Sequence, residues 1–343
     1  MSTATARSRW PGYPGRSPGG QRALRGGTVG LVLAVAAVFP LIAGGQLTMQ
    51  IAVDTLIFLG ATSAWNIFSG YTGYISLGHA VFFGAGAYTA AVAAQDWQLS
   101  GRAEFLLLPL SAAVATVIAV PFGLIALRVK RHTFVVITIA IFFIFQLMAY
   151  NLSVTGGSVG INAPFLAWAP DTYNDPFYYL ALIIAVGTVG LSWLIRRSRF
   201  GLQLRAIRDD EDRARSLGVQ AMRVKLAAFV ISAAVTGLIG ALWFFFLVQV
   251  LPQYGFDPLF DLSVVLMAFI GGLGTVAGPV LGALILEPAQ QYLTLHYNNS
   301  YLGEIIWGAL FLLVILFLPR GIIPTAREHL AAWRSRGRAS PGS

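Results

Sequence analysis

The segment Arg196–Lys225 reads RRSRFGLQLRAIRDDEDRARSLGVQAMRVK and is the longest polar stretch between the hydrophobic runs of the chain. It holds nine Arg and Lys residues and four acidic residues, whereas the sequence on either side is apolar enough to lie in lipid. Asp209 is predicted to cap a short helix, with three acidic residues in its first turn. Gly218 follows where a left-handed C-terminal cap is expected. A capped, charged helix between two apolar segments is suited to being held by a partner.

The composition of the whole chain is that of a membrane protein. Of its 343 residues, 57% are hydrophobic and 11% are charged, whereas a soluble domain averages about 25% charged residues. Apolar runs occur at about 28–45, 51–68, 75–95, 105–127, 133–152, 177–195, 226–251 and 262–286, and a last one ends at 318. We therefore predict an all-α polytopic membrane protein with about 8–10 transmembrane helices. Its predicted regions are a disordered cytoplasmic tail (1–27), a transmembrane domain (28–318) and a cytoplasmic C-terminal tail (319–343).

The placement of charge predicts the orientation. Of the 23 Arg and Lys residues, 22 fall in four clusters: the N-terminal tail, the stretch around Lys130, the central loop and the C-terminal tail. The positive-inside rule puts all four on the cytoplasmic side. The basic, Pro-rich start also resembles a signal peptide, but Pro40 interrupts the apolar run and no small-residue cleavage site is clear, which favours an uncleaved first span.

Nine simple crossings would leave the C-terminal cluster outside, so one run must be interrupted. The run 262–286 contains the glycine-rich sequence GGLGT at 271–275 and Gly278-Pro279 beyond it. A re-entrant segment or two short helices at this point would both return the C-terminus to the inside. Since non-helical backbone is tolerated at membrane depth only inside protein or beside a water-filled cavity, we predict a broken helix that lines a path.

Other residues are assigned to the path with open alternatives. The residues predicted to line it are Ser76, His79, Thr155, Gly156, Gly157, Gly271, Gly272, Gly274 and Thr275. As alternatives, His79 is a hydrogen-bonded packing residue, and the stretch 155–157 forms a simple turn. The glycines at 70–86 can also serve close helix packing. Asp54 is expected at the solvated interface, and Glu287 near an aqueous exit.

Motifs for chemistry are missing. There is no G-x-x-x-x-G-K-[ST] phosphate loop, so any ATP hydrolysis must come from another polypeptide. The four histidines show no metal-binding spacing, and no G-x-S-x-G motif or close carboxylate pair lies inside a span. The sequence therefore predicts a transporter without a catalytic or metal site of its own.

Four stretches resemble a known family. SGYTGYISLGHAVFFGAGAYTAA at 69–91 is similar to the signature region of LivM-type permease subunits of branched-chain amino acid ABC importers. The others are ITIAIFFIFQ at 137–146 with VTGGSVGI at 154–161, GLQLRAIRDDEDRARSLGV at 201–219 with KLAAFVISA at 225–233, and FIGGLGTVAGPVLGALI at 269–285. They occur in the family's order and extend over most of the chain between the tails.

The resemblance implies a type II importer transmembrane domain in the bacterial cytoplasmic (inner) membrane, with both termini cytoplasmic. It implies as partners a second homologous permease, two cytoplasmic ATPase subunits that carry ATP and Mg²⁺, an extracytoplasmic substrate-binding protein and membrane lipid, but no nucleic acid. This chain itself would hold no cofactor. The family's E-A-A-x-x-x-G motif aligns with 212–218, where Asp replaces Glu and Arg replaces the first Ala. The coupling residues carried over are Leu204, Ile207, Asp209, Asp212, Arg213, Ala214, Leu217 and Gly218.

Two alternative functions remain at this point. A urea or short-amide permease of the same family would share these motifs. An ion-coupled secondary transporter would favour intramembrane carboxylates, for which Asp54 and Glu287 are the candidates.

Overall fold

The structure is a computed structural model that describes residues 18–42, 45–99, 101–163 and 173–296, with scattered positions between 305 and 323. The described chain is helical, apart from its connections and one two-stranded pairing. Its longer helices are α1 (Pro18–Ile42), α2 (Gln46–Trp65), α3 (Ala80–Asp96), α4 (Leu107–Ala126), α5 (Arg131–Asn151), α6 (Asn174–Arg197), α7 (Arg199–Asp209), α9 (Ala221–Leu247), α11 (Pro258–Gly271) and α12 (Ala277–His296). The short elements are α8 (Glu211–Ser216), α10 (Pro252–Gly255), β1 (Ile161–Asn162) and β2 (Gln249–Val250).

Helix α1 belongs to a separate compact unit, Met1–Gly44. It begins at Pro18, inside the predicted tail 1–27. The first 17 residues of that tail lie outside the described part of the chain. Its apolar portion, Gly30–Ile42, is shorter than the roughly 20 residues that a spanning helix needs. Most of the predicted C-terminal tail also lies outside the described residues.

Among the described residues of the second unit, six helical segments are long and apolar enough to cross a membrane. They are Gln46–Gly70, Ala103–Ala126, Arg131–Asn151, Asn174–Arg197, Ala221–Leu247 and Pro252–Gly271. Their length and composition confirm the prediction of a polytopic, all-α membrane protein.

The connections between helices collect at two ends. At one end, the Arg131 guanidinium donates to the carbonyls of Ile207 and Arg208 at the end of α7, at 2.7 and 2.6 Å. At the other, β1 pairs antiparallel with β2. We call these the inner end and the outer end. These names follow the orientation that the charge clusters predict.

The predicted break in the run 262–286 is confirmed as the turn of a helical hairpin. A Cβ on Gly271 would lie 1.7 Å from the Gly278 carbonyl oxygen, and one on Gly282 would lie 1.8 Å from that of Met267. Residue 271 of α11 thus lies beside residue 278 of α12, and residue 267 lies beside residue 282. The two helices therefore run antiparallel with their backbones in contact. The chain after the last apolar run returns to this turn, where Gly321 lies against Gly272.

Glycines of the first half also serve close packing. A Cβ on Gly86 of α3 would lie 1.9 Å from the Gly237 carbonyl oxygen on α9. One on Gly84 would lie 2.6 Å from the Gly255 oxygen. For these two positions the packing alternative is confirmed, since only a residue without a side chain permits such an approach.

Candidate functional site

The central loop folds as two consecutive capped helices, α7 and α8. The Gly201 N–H donates to the Ser198 hydroxyl (3.1 Å) at the start of α7, and the Arg213 N–H donates to the Asp210 carboxylate (3.0 Å) at the start of α8. The predicted cap, Asp209, is wrong by one residue. Helix α7 continues through Asp209, and the extended backbone of Asp210 (φ −158°, ψ 110°) forms the corner between the helices.

Beyond α8 the chain turns at Gly218, whose φ of +87° confirms the predicted left-handed cap. The preceding Leu217 is 85% exposed, although it is a large apolar residue in a charged segment. Asp209, Asp212 and Arg213 are exposed as well. An apolar side chain presented among charges is typical of a surface that a partner covers.

Three other residues predicted to couple point into the bundle. Leu204, Ile207 and Ala214 are buried against the rest of the chain. The predicted set therefore has two faces, one that anchors α7 and α8 and one that is open. The Arg131 bonds to the last carbonyls of α7 strengthen the anchor, because a cation stabilises a helix C-terminus. The position of Arg131 in the basic cluster at 128–131 predicted that it lies on the same side of the molecule as the central loop. The sequence did not predict its contact with α7.

Arg208 joins α7 to two backbone elements of the inner end. Its Nη1 donates to the Gly70 carbonyl at 2.7 Å and lies 3.5 Å from the Leu273 carbonyl. Gly70 ends a π-helical turn (Asn66–Gly70) that continues α2, and Leu273 lies in the turn between α11 and α12. Sequence reasoning missed Arg208, because one arginine among the eight of the loop carries no distinguishing pattern.

Asn66 joins the same two elements directly. Its Oδ1 accepts from the Gly274 N–H and its Nδ2 donates to the Thr275 carbonyl, both at 2.9 Å. Gly274 has φ +76° and Gly272 has φ +120°, so this turn requires backbone conformations that favour glycine. Four of the predicted path residues, Gly271, Gly272, Gly274 and Thr275, thus lie together at the inner end.

Helix α8 is tied to the bundle by a buried ion pair. Lys225 Nζ lies 2.9 Å from Glu211 Oε1, and its side chain is only 1% exposed. The Tyr74 hydroxyl donates to the other carboxylate oxygen. Burial raises the pKa of Glu211, but the hydrogen bonds from Tyr74 and Lys225 outweigh it, and the pKa lies below its ordinary value.

Ser76 and His79 belong to a buried polar network. The Ser232 hydroxyl donates to the Ala64 carbonyl at 2.6 Å and lies 2.8 Å from His79 Nε2. Since the serine proton is used, Nε2 must carry the ring proton, and Nδ1 accepts from the Ser76 hydroxyl at 2.9 Å. His79 is therefore a neutral, fully bonded packing residue in this conformation, as one of the two alternatives proposed.

Two carboxylates lie where the sequence did not place them. Asp54 was expected to be solvated and Glu287 to face an aqueous exit, yet they are 7% and 1% exposed. Both expectations are wrong, because α2 and α12 pack side by side and enclose the two side chains. Gln291 of α12 donates toward both of them.

The remaining path candidates, Thr155, Gly156 and Gly157, lie apart at the outer end. They form two short turns after α5, with left-handed glycines at φ +72° and +57°. Thr155 lines a cavity of about 470 Å³ between α3, α4 and α5. Its other walls are mainly aliphatic and aromatic, among them Val92, Ile118, Met148 and Phe256.

Comparison with known proteins identifies the family. Residues 47–315 match the family described as branched-chain amino acid transport system / permease component. The chain belongs to this permease family. The LivM permease protein of Escherichia coli K12 is 28% identical over 329 residues, covering 88% of this chain and 75% of that protein. The LivH permease protein of the same organism is 27% identical over 284 residues, covering 78% and 90%.

An archaeal relative extends the comparison. The probable LivM permease protein of Methanocaldococcus jannaschii is 27% identical over 188 residues, covering 51% of this permease and 54% of that protein. No solved structure matches the chain.

Proposed function

We propose that this chain is one permease subunit of an ATP-driven importer of branched-chain or related hydrophobic amino acids. It would pair with a second homologous permease and bind two ATPase subunits at the inner end and a substrate-binding protein at the outer end. ATP and Mg²⁺ would be held by the ATPase subunits. The names of the relatives support the substrate class, and the mainly apolar outer cavity is compatible with an aliphatic side chain.

The observation that carries this proposal is the two-faced segment α7–α8. One face is fixed to the bundle by Leu204, Ile207 and the ion pair of Lys225, while the other presents Leu217. A rigid element with an exposed apolar side chain such as Leu217 can bind a partner and transmit its movement. A loop lying on lipid headgroups would need only its basic charges.

Movement of α7 would be transmitted to the bundle through the Arg208 side chain, which contacts backbone carbonyls of two other elements. A displacement of α7 changes the position of the Arg208 guanidinium, which contacts both the end of the π-helical turn and the hairpin turn. We infer that the ATPase cycle moves these elements in this way and opens the inner end alternately with the outer end. Such coupling requires the ATPase to bind the two permease states with different affinities.

Reconstitution in proteoliposomes tests the proposal. Uptake of leucine, isoleucine or valine should require the ATPase subunits, the binding protein and ATP. Leu217→Asp should lower the binding of the ATPase to the permease, while Leu202→Asp, at a second exposed leucine on the neighbouring helix, is the matched control. Uptake by the purified permease without ATPase subunits would contradict the proposal, and uptake of urea but not of amino acids would contradict the substrate class.

A further inference from the structure

The carboxylates of Asp54 and Glu287 meet in the interface between α2 and α12. Gln291 Nε2 donates to Glu287 Oε1 at 3.0 Å and to Asp54 Oδ2 at 3.4 Å, so both acids lie next to the same nitrogen. Asp54 stands on the third turn of a helix long enough to span the membrane. The pair takes no part in the function proposed above.

No described cation neutralises this pair. The ion pairs of the described residues involve other acids, and Lys225 of α9 is already bound to Glu211. On α11, Asp261 accepts instead from the Ala80 N–H. The remaining charged groups of adjoining described helices lie at helix ends or at the surface: Asp175, Arg196 and Arg197 on α6 and Arg223 on α9. Tyr292 on α12 is an exposed, neutral phenol.

One oxygen of the pair also lacks a hydrogen-bond partner. Glu287 Oε2 is buried and, within the part of the chain that the structure describes, receives no donor. The Gln290 side-chain oxygen is in the same situation one residue before the bridging amide. Buried polar atoms without partners are rare, and two adjacent buried negative charges without a cation are more costly still. Both features favour the binding of a positive charge by these side chains.

We propose that Asp54 and Glu287 bind one proton between them as a carboxyl–carboxylate pair inside the α2–α12 interface. The proton comes from water and leaves to water, and no other bond changes. The proton cancels one of the two charges. Bound to Glu287 Oε2, it turns the unpartnered carboxylate oxygen into a hydroxyl. The remaining single charge is stabilised by the Gln291 N–H. Release of the proton would place two like charges together and weaken the contact of α12 with α2.

Infrared difference spectroscopy tests the proposal on the full-length permease in lipid nanodiscs with its partner subunits. At neutral pH the wild type should show the carbonyl stretch of a protonated carboxyl, and this band should disappear as the pH rises. Because Asp261 is also buried, the test is the change in the band: Asp54→Asn combined with Glu287→Gln should remove the component contributed by the pair, whereas Asp96→Asn, at an exposed acid of α3, should leave the band unchanged. Absence of the band from the wild type, or an unchanged band in the double variant, would overturn the proposal.

A second measurement keeps the test independent of these variants. Between the titration range of an unfolded carboxyl and that of the pair, the wild type should lose stability as the pH rises, with a slope approaching a tenfold change in unfolding equilibrium per pH unit, since the folded state binds one more proton there. A flat profile between these two ranges would overturn the proposal. So would loss of the band on adding Na⁺ at constant pH, which would show a metal ion instead. Neither result bears on ATP-dependent uptake, which tests the proposed function separately.

Discussion

The two non-helical breaks at the inner end, 73–79 before α3 and 272–276 before α12, are stabilised in opposite ways. The first is closed by buried side chains of the surrounding helices: Ser69 accepts from the Ser76 N–H, Thr138 accepts from the Leu77 N–H, and His79 bonds to Ser232. The second is a glycine turn held from outside by Asn66 and approached by Arg208. The first break is therefore held mainly by the core, although Tyr74 also links it to α8, whereas the second is a glycine turn whose side-chain contacts come from Asn66 and from Arg208 of α7.

The strongest way to break this comparison is to give the second turn a side chain. Gly274→Val places a branched residue at φ +76°, with a Cβ 2.7 Å from the Gly70 carbonyl oxygen. We expect a loss of about 3 kcal/mol in stability, from the left-handed conformation and the overlap together. Thermal unfolding of the purified permease measures it. Gly190→Val on α6, where a Cβ would meet nothing within 4 Å, is the control, and equal losses in both would contradict the close approach at 274.

The first break should respond to the loss of a single hydroxyl. Ser232→Ala leaves the Ala64 carbonyl and His79 Nε2 without their partner in the core. The expected cost is about 2 kcal/mol, because each buried group loses its hydrogen bond without gaining water. Thermal unfolding is again the measurement. Thr294→Ala, which removes an exposed hydroxyl on α12, should change little, and a wild-type melting temperature for Ser232→Ala would refute the role of the network.

Arg208→Lys tests the dependence of the second break on α7. Lysine keeps the charge but lacks the planar guanidinium that lies between the Gly70 and Leu273 carbonyls. We expect transport per ATP hydrolysed to fall about tenfold, equivalent to the loss of one charged hydrogen bond, with ATPase binding retained. Arg199→Lys, at an exposed position of the same helix, is the matched control. Uptake and hydrolysis that fall in parallel would contradict a role in transmission.

The smallest expected effect is the pH dependence of the ion pair beneath α8. The pKa of Glu211 lies below its ordinary value, so the pair stabilises the fold above the titration range of an unfolded carboxyl and ceases to do so as the pH falls through the folded pKa. Glu211→Gln should therefore lower the melting temperature at neutral pH and converge with the wild type in acid. Arg213→Gln, in an exposed pair, is the control. A difference that grows in acid would show that the sign is wrong.

The sequence predicted the elements whose signals are local. The glycines at 271–275 and the parity of the charge clusters predicted the broken helix, and Gly218 predicted the end of α8. The cap was misplaced by one residue because four consecutive acids are equivalent in sequence, and only the backbone of Asp210 distinguishes them.

The sequence did not predict the contacts between residues that are far apart in the chain. Ser232 lies 153 residues from His79, in a stretch that reads simply as an apolar span, so packing and path both remained open for His79. Asp54 and Gln291 are 237 residues apart. A single carboxylate in a hydrophobic run gives no sign of whether lipid, water or another helix will surround it. Burial of that kind depends on helix packing, which periodicity alone does not determine.

The carboxamide of Asn66 has a consequence for how the two halves of the molecule are aligned. It offers an acceptor to the Gly274 N–H and a donor to the Thr275 carbonyl, and a 180° rotation of the amide would set donor against donor and acceptor against acceptor. Neither aspartate nor leucine provides both functions. One side chain thus defines the registration of the hairpin relative to the first half, and any sliding between them must break two bonds together. The inner end should accordingly switch between discrete positions rather than drift.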